Sequence, residues 1–382
     1  MSAAGVGSAR GEALVLVEPD DVAAALVATL SGGPAFAPLP PDPAERERVV
    51  AMLRPSAAVE EPDAAVIVAT SGSTGRPKGV VLSRAALLAS ATATHERLGG
   101  PGDWALALPT HYVAGLMVQV RAVAGGTRVH VVRPDLSDLP AALPRLHGRR
   151  YLSLVPTQLR RALEIPSVAT ALSDFDAVLL GGAAADPALL EHARDAGVRI
   201  VTTYGMSETC GGCVYDGSPL TGVGVEIGDK GRIVIGGPTV FTGYRQQPEL
   251  TAATLDGGRL VTHDRGRWRG DRLEVLGRVD EVVITGGLNV DLAEVERYAR
   301  TWPALTGGEL VVLGRADPEW GTVVVAVSDV EVGLDGLREF LRNALPAYAA
   351  PRELIRIDPL PRTSSGKIDR EALRSLLQKG SA

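Results

Sequence analysis

The sequence predicts an α/β protein: a large N-terminal domain of α/β layers that includes a β-subdomain, then a small α+β C-terminal domain. Three observations predict it. From Ala64 to Gly205, strand-like and helix-like segments alternate, the signature of layers built on a largely parallel sheet. After Gly211 the texture turns to short, Gly-punctuated strands, which marks a β-subdomain over about residues 212–277. From Arg278 it turns again, to strands and helices that make a compact α+β unit. The predicted domains are therefore residues 1–277 and 278–382, and no repeat recurs at a fixed period.

Each element follows from local pattern. Residues 1–60 are Ala/Pro-rich and offer one helix, Asp21 to Leu30, capped by its leading aspartates and stopped by Ser-Gly-Gly. AAVIVAT is a buried strand, GVVLS a second short one, and RAALLASATATHERL a helix with Ser83 as its N-cap. WALALP then leads to GLMVQVRAVAGG, RVHVV to DLPAALPRLHG, YLSLVP to TQLRRALE, and AVLLGG to DPALLEHARDAG, with RIVTTYG closing the series. GVGVEIG, GRIVIGG, TVFTGY, RLVTHDRG and RLEVLG supply the β-subdomain, and EVVITG, DLAEVERYART, ELVVLG, TVVVAVS, DGLREFLRNA and ELIRI supply the C-terminal domain.

Composition excludes several classes. The chain has 382 residues, 45% of them hydrophobic, enough for sizeable cores. A net charge of -6 argues against general nucleic-acid binding. No run of about 18 apolar residues occurs, and the N-terminus lacks the basic-then-apolar order of a signal peptide. A cytoplasmic protein without stable membrane insertion is expected. Cys210 and Cys213 form a lone C-x-x-C with no second cysteine pair and no H-x3-H, so two reduced thiols are expected rather than a redox or zinc centre. Of 39 basic residues only four are lysines, at 78, 230, 367 and 379. Where arginine is the default, a retained lysine invites a chemical reason, such as a compact, mobile ammonium. Lys78 and Lys367 both stand in Gly/Ser-rich contexts.

Four stretches carry chemistry. TSGSTGRPKG, Thr70 to Gly79, is not a Walker A loop, whose glycine spacing differs. Its glycines still allow backbone N–H groups to form an anion nest, its hydroxyls add donors, and Lys78 adds charge. A plain hairpin turn would need neither the hydroxyls nor the lysine. TTYGMSETCGG, Thr202 to Gly212, ends a predicted strand, where ligands of open α/β sheets bind. There Tyr204 can stack on a base, and Glu208 can hold Mg²⁺ against phosphates. Asp264 in THDRG and Arg278 in GRVDEVVITGG are candidates for ribose hydroxyls or phosphate; a charged domain-linking hairpin is the alternative. In PRTSSGKIDREAL, Lys367 follows Ser-Ser-Gly ahead of a short helix, either as a chemical group or as a solvated surface cation.

Taken together, in this order, the four stretches resemble the adenylate-forming superfamily of acyl-CoA synthetases, nonribosomal adenylation domains and luciferases, over about residues 64–376. The resemblance implies an enzyme that uses ATP, Mg²⁺ and coenzyme A. It implies that Thr70, Ser71, Gly72, Ser73, Thr74, Gly75 and Lys78 grip the ATP phosphates, with Thr74 and Glu208 on Mg²⁺. Gly182, Ala183, Thr203, Tyr204, Gly205, Met206 and Ser207 would line the nucleotide, Asp264 and Arg278 the ribose, and Asp280 would be the hinge of a mobile C-terminal domain. Lys367 matches the mobile catalytic lysine. LALPTHYVAGLMVQVRAVAGG, SLVPTQLRRAL, VLLGGAAA and TYGMSETCGGCVYDG further resemble the o-succinylbenzoate–CoA ligase family of menaquinone biosynthesis. That implies small-molecule substrates including an aromatic dicarboxylate, with His111, Arg121, Gly181 and Gly205 in the acyl pocket, and is compatible with a homodimer. Two departures stand out. The family's L-P-L-F-H places its histidine where Tyr112 stands, with His111 one residue earlier, and a lysine common in G-R-x-D-x-x-I-K is Thr285 here. Other acyl- or aryl-CoA ligases, freestanding adenylation enzymes and a non-catalytic nucleotide-binding protein share most of these features. A serine hydrolase does not, since no G-x-S-x-G occurs.

Overall fold

A computed structural model describes residues 13–61, 63–71, 77–184, 186–305, 307–363 and 367–379, the side chains of Ser71 and Lys379 excepted. Packing divides the chain into two compact units, Met1–Val225 with Ile235–Leu260, and Glu226–Val234 with Val261–Ala382. The division falls ahead of the 277/278 boundary expected from the sequence: residues 261–278, most of the hairpin of Arg259–Arg269 and Arg272–Arg278, group with the residues that follow and with Glu226–Val234.

The first unit holds the alternating series. Its seven-stranded sheet runs in the order Ser218–Pro219, Gly211–Tyr215, Ile200–Met206, Ala177–Leu180, Arg150–Leu154, Asp103–Leu106, Val129–Val131. The last five are parallel, and the first two are antiparallel additions. Alternate side chains enter two separate cores. Leu152, Val178 and Leu180 join one; Tyr151, Ala177 and Leu179 join the other, with Trp104 and Tyr215. A strand with helices on both faces needs apolar residues at every position, which is why these strands read as continuous runs. Ser83 caps the helix Arg84–Leu98 as expected, accepting from the Ala86 N–H at 3.0 Å.

The second sheet of this unit is ordered Val15–Val17, Phe36–Pro38, Ala64–Ser71, Pro77–Ser83, Gly243–Tyr244. It corrects three expectations. TVFTGY does not belong to a β-subdomain: Gly243 and Tyr244 pair antiparallel with Val81 and Val80. Residues 212–219, also placed there by the sequence, extend the seven-stranded sheet instead. The aspartate cap on Val22–Leu30 does not form either, because a 3-10 turn over Pro19–Asp21 runs straight into the helix and leaves Asp21 in helical geometry. The sequence also missed the helix Pro43–Leu53 and the two three-residue strands before it.

In the second unit, Leu288–Asp291, Val282–Thr285, Gly321–Ser328 and Leu310–Asp317 lie in that order, and Glu353–Arg356 runs parallel to Gly321–Ser328. Helices Leu292–Ala299 and Leu334–Arg342 cover one face through Val295, Ala299, Leu337 and Leu341. Helix Arg370–Lys379 covers the other through Leu373 and Leu377.

Candidate functional site

TSGSTGRPKG is the end of a hairpin. Strands Ala64–Ser71 and Pro77–Ser83 pair antiparallel, with Thr70 opposite Lys78 and Ser71 opposite Pro77. Gly72, Ser73, Thr74 and Gly75 lie outside the described residues. The register brings Thr70 and Lys78, both half-buried, side by side at the base of the loop. Gly79 has a packing reason rather than a phosphate one: a Cβ there would stand 2.9 Å from the Arg245 Cβ and 3.1 Å from the Ile67 Cγ2. The Lys78 Nζ lies 5.2 Å from the ring centroid of Tyr244, within cation–π reach.

Glu208 sits in the 3-10 turn Ser207–Thr209, directly after the strand Ile200–Met206. Thr209 holds the turn, donating to the Gly211 carbonyl at 2.7 Å and accepting from the Met206 N–H at 2.9 Å. The chain then reverses through Cys210 and Gly211, both with positive φ. Tyr244 donates its hydroxyl to Glu208 Oε1 at 2.7 Å. Burial, the charge of Glu208 and this hydrogen bond all push the Tyr244 phenol pKa up, so it stays protonated and stays a donor. Nothing in the sequence singled out Tyr244, because its partners lie 36 and 166 residues away along the chain. Among the described residues no group of three or more His, Cys, Asp or Glu could cage a metal ion. A single half-buried carboxylate with one oxygen engaged by Tyr244 fits Mg²⁺, which takes one or two carboxylates and fills its shell with phosphates and water.

Gly181, Gly182 and Ala183 follow the strand Ala177–Leu180, whose Leu180 pairs with Thr202. The carboxyl ends of these parallel neighbours therefore bring Gly181–Ala183 beside Thr203 and Tyr204, with Gly205, Met206 and Ser207 just beyond. This is the crevice where open α/β sheets bind ligands. Gly205 is required by a close strand approach, since a Cβ would lie 2.0 Å from the Gly211 carbonyl oxygen. Cys210 and Cys213 are free, fully buried thiols. Burial raises both pKa values, that of Cys213 to about 12, so neither is a thiolate at neutral pH.

Arg121, on helix Val113–Gly125, is only 4% exposed. Its guanidinium lies over Trp104, 5.2 Å from the centroid, and one nitrogen reaches the Tyr215 hydroxyl at 3.5 Å. Its Nε has no hydrogen-bond partner, and no carboxylate among the described residues is bonded to it. The neighbouring Trp104 Nε1 and His95 Nε2 are also buried without partners. Burial first, and the Arg121 charge second, lower the His95 pKa. His111 is buried against Tyr112, with ring centroids 4.1 Å apart, and desolvation lowers its pKa. The Tyr112 hydroxyl turns to Glu45 at 3.1 Å, so of the two the histidine is the buried ring and the tyrosine the tethered one.

In the second unit, Asp264 and Arg278 are direct partners across the hairpin, 3.5 Å apart at their charged atoms. Arg278 also forks onto Asp280, at 2.8 and 2.9 Å. Burial works to raise the Asp280 pKa, but the Arg278 bond and charge outweigh it and hold the carboxyl below its ordinary value. The structure thus gathers all three residues that the sequence assigned to ribose and hinge. Lys367 follows the described residue Thr363, which donates its N–H to the Lys367 carbonyl at 2.8 Å, and Asp369 caps the helix behind it. The Lys367 side chain meets water. Surrounding protein desolvates its ammonium and lowers the pKa from the ordinary lysine value.

A model of the AMP-binding enzyme family matches residues 10–245, and one of the AMP-binding enzyme C-terminal domain matches residues 306–367. The chain is 45% identical over 344 residues to a probable 2-succinylbenzoate–CoA ligase of Mycobacterium tuberculosis, covering 87% of this chain and 89% of that one. It is 32% identical to the 2-succinylbenzoate–CoA ligase of Bacillus cereus, over 83% of this chain and 71% of the relative. It superposes with a TM-score of 0.76 and 27% identity on the o-succinylbenzoate CoA synthetase of Bacillus subtilis in complex with its acyl-adenylate intermediate, over 97% of this chain and 88% of that one. With a two-sheet first unit, an α+β second unit and matches over both, the chain belongs to the AMP-binding enzyme family.

Proposed function

We propose that this chain is an acid–thiol ligase that uses ATP to join o-succinylbenzoate to coenzyme A. A substrate carboxylate attacks the α-phosphorus of ATP and expels pyrophosphate. The thiol of coenzyme A then attacks the acyl adenylate and expels AMP. The first step brings anions together and spreads negative charge over phosphoryl oxygens, so catalysis is positioning and electrostatic stabilisation.

The proposal gives the hairpin of Thr70 and Lys78 to the phosphates, the crevice from Gly181 to Ser207 to the nucleotide, and Asp264 with Arg278 to the ribose. Mg²⁺, when bound, supplies neutralising charge to the phosphates, and Glu208 is the residue that would hold it. Lys367, whose side chain is exposed, is assigned to adenylation alone. The stretch Gly277–Asp280 is proposed as the pivot of the C-terminal segment between the two half-reactions.

One observation carries the identity of the acid. Arg121 is a buried cation with a vacant N–H and no carboxylate bonded to it, among neighbours that also present unmatched buried nitrogens. A buried arginine left this way costs several kcal/mol unless an anion meets it. o-Succinylbenzoate has two carboxylates, and the one not activated supplies that anion. The relatives named for this acid point the same way.

Pyrophosphate release across a panel of carboxylic acids tests the proposal. o-Succinylbenzoate is expected to give the highest kcat/KM, and turnover confined to fatty or amino acids would overturn the assignment. Lys367→Ala should lower adenylation by about 10²-fold or more, the loss of roughly 3 kcal/mol of transition-state stabilisation, while sparing transfer to coenzyme A from supplied acyl adenylate. Equal loss in both half-reactions would remove Lys367 from its role.

A further inference from the structure

The segment Phe241–Arg245 is bonded to two parts of the candidate ATP site at once. Towards the hairpin, the Thr242 N–H donates to the Val81 carbonyl at 3.0 Å and the Arg245 N–H to the Gly79 carbonyl at 2.7 Å. Towards the turn that carries Glu208, the Phe241 N–H donates to the Glu208 carbonyl at 2.9 Å. Tyr244 repeats both connections with its side chain. Its hydroxyl holds Glu208 Oε1 at 2.7 Å, and its ring face carries the Lys78 ammonium at 5.2 Å. The tyrosine is itself fixed, 6% exposed, with its N–H on the Thr251 hydroxyl at 2.9 Å and its ring against Phe241 at 4.9 Å.

We propose that Tyr244 is a positioning residue for metal–nucleotide binding: its hydroxyl fixes the Glu208 carboxylate so that one oxygen alone faces the divalent cation, and its ring sets where the Lys78 ammonium stands. This rests on the assignment of Glu208 and Lys78 to the metal and phosphates of ATP. A glutamate rotates about three bonds, and a hydrogen bond to one oxygen selects a single orientation before the cation arrives. Partners that orient a metal-binding carboxylate typically change affinity by about 10- to 100-fold when removed. The ring stabilises Lys78 without neutralising it, which leaves the ammonium charge for a phosphate.

Tyr244→Phe separates the two roles, since it deletes the hydroxyl and keeps the ring; Tyr244→Leu deletes both. Mn²⁺ is the probe, followed by electron paramagnetic resonance with a non-hydrolysable ATP analogue present, so the readout does not depend on turnover. Tyr244→Phe is expected to weaken Mn²⁺ binding about tenfold. Tyr244→Leu is expected to weaken binding of the ATP analogue as well. In a Glu208→Gln background, Tyr244→Phe should have no further effect on Mn²⁺, because the group it orients is gone. Wild-type Mn²⁺ affinity in Tyr244→Phe, or an equal loss with and without Glu208, would overturn the proposal and reduce Tyr244 to a packing residue. A protein that shows this Tyr244 dependence but releases pyrophosphate with no acid would keep the proposal and overturn the ligase assignment.

Discussion

Among the described residues, two arginines are buried in the first unit, and their surroundings are opposites. Arg245, 1% exposed, is saturated. It donates to the carbonyls of Leu53, Arg54, Ala57 and Ala58, at 3.3, 3.5, 2.6 and 2.7 Å, and to the Glu61 carboxylate at 3.4 Å. Those acceptors end the helix Pro43–Leu53 and the turn after it, so Arg245 closes a helix C-terminus whose carbonyls would otherwise lack donors. Arg121 is buried almost as deeply, yet holds one long bond to a tyrosine and an aromatic face. The same side chain, equally removed from water, is finished in one place and unfinished in the other. The difference teaches where to look for ligand: burial alone does not mark a site, but a buried charge whose partners are missing does.

The largest effect should come from breaking the finished arginine. Arg245→Met leaves carbonyls and Glu61 without donors, and a loss of about 3–5 kcal/mol in unfolding free energy is expected, read by urea denaturation. Arg245→Lys should recover only part of it, since one ammonium cannot span the carbonyls that a planar fork reaches. A variant as stable as wild type would mean that those bonds contribute nothing.

Breaking the unfinished arginine should show the reverse. Arg121→Met is expected to lower kcat/KM for o-succinylbenzoate by about 10²-fold, equivalent to 2–5 kcal/mol for a buried charge pair, and to raise rather than lower the unfolding free energy of the ligand-free protein, because a buried charge without an anion is removed. For an analogue without the second carboxylate, the variant and wild type should be alike. A ratio of the two substrates that Arg121→Met leaves unchanged would take Arg121 out of the acyl pocket and dissolve the contrast.

A smaller effect comes from the histidines. His95 and His111 both have pKa values lowered by burial, and Arg121 lowers that of His95 further. Below the ordinary value near 6.5, the unfolded chain binds protons that the folded one refuses. Stability should therefore fall as pH drops below that value and level off once the folded pKa is passed, with a slope of at most about 1.4 kcal/mol per pH unit for each histidine. Thermal melts between pH 7.5 and about 5 read it. The smallest effect joins the two tests: with its cationic neighbour removed in Arg121→Met, His95 should take up its proton more readily, and the acid-side decline should be shallower. An unchanged or steeper decline would mean that Arg121 exerts no field on His95.

The parts of the fold that the sequence made legible are those with local causes. Strands buried on both faces are unbroken apolar runs, so Ala64–Ser71, Ala177–Leu180 and Leu310–Asp317 could be read directly. The Ser83 cap is equally local. What the sequence hid is non-local or short. Gly243–Tyr244 reads as one more Gly-flanked strand, and nothing near it reveals that its partners are Val80 and Val81. Val15–Val17 and Phe36–Pro38 are too short to show a period. The site divides in the same way. Scarcity of lysine pointed to Lys78 and Lys367, and motif spacing to Glu208, Asp264 and Arg278. The unsatisfied surroundings of Arg121 and the bridging position of Tyr244 exist only once the chain is folded.

The two cysteines have a practical consequence. They are the only thiols in the chain, both are fully buried, and both resist ionisation. The native protein therefore offers thiol-reactive dyes nothing to attack. A cysteine placed on the exposed surface of each unit would take label selectively without first stripping out the natural ones, and a donor–acceptor pair so attached would report distance changes as ATP, acid and coenzyme A are added in turn. The proposed movement, which would put Lys367 to work in one half-reaction and leave it idle in the other, would become a trace that can be watched one molecule at a time.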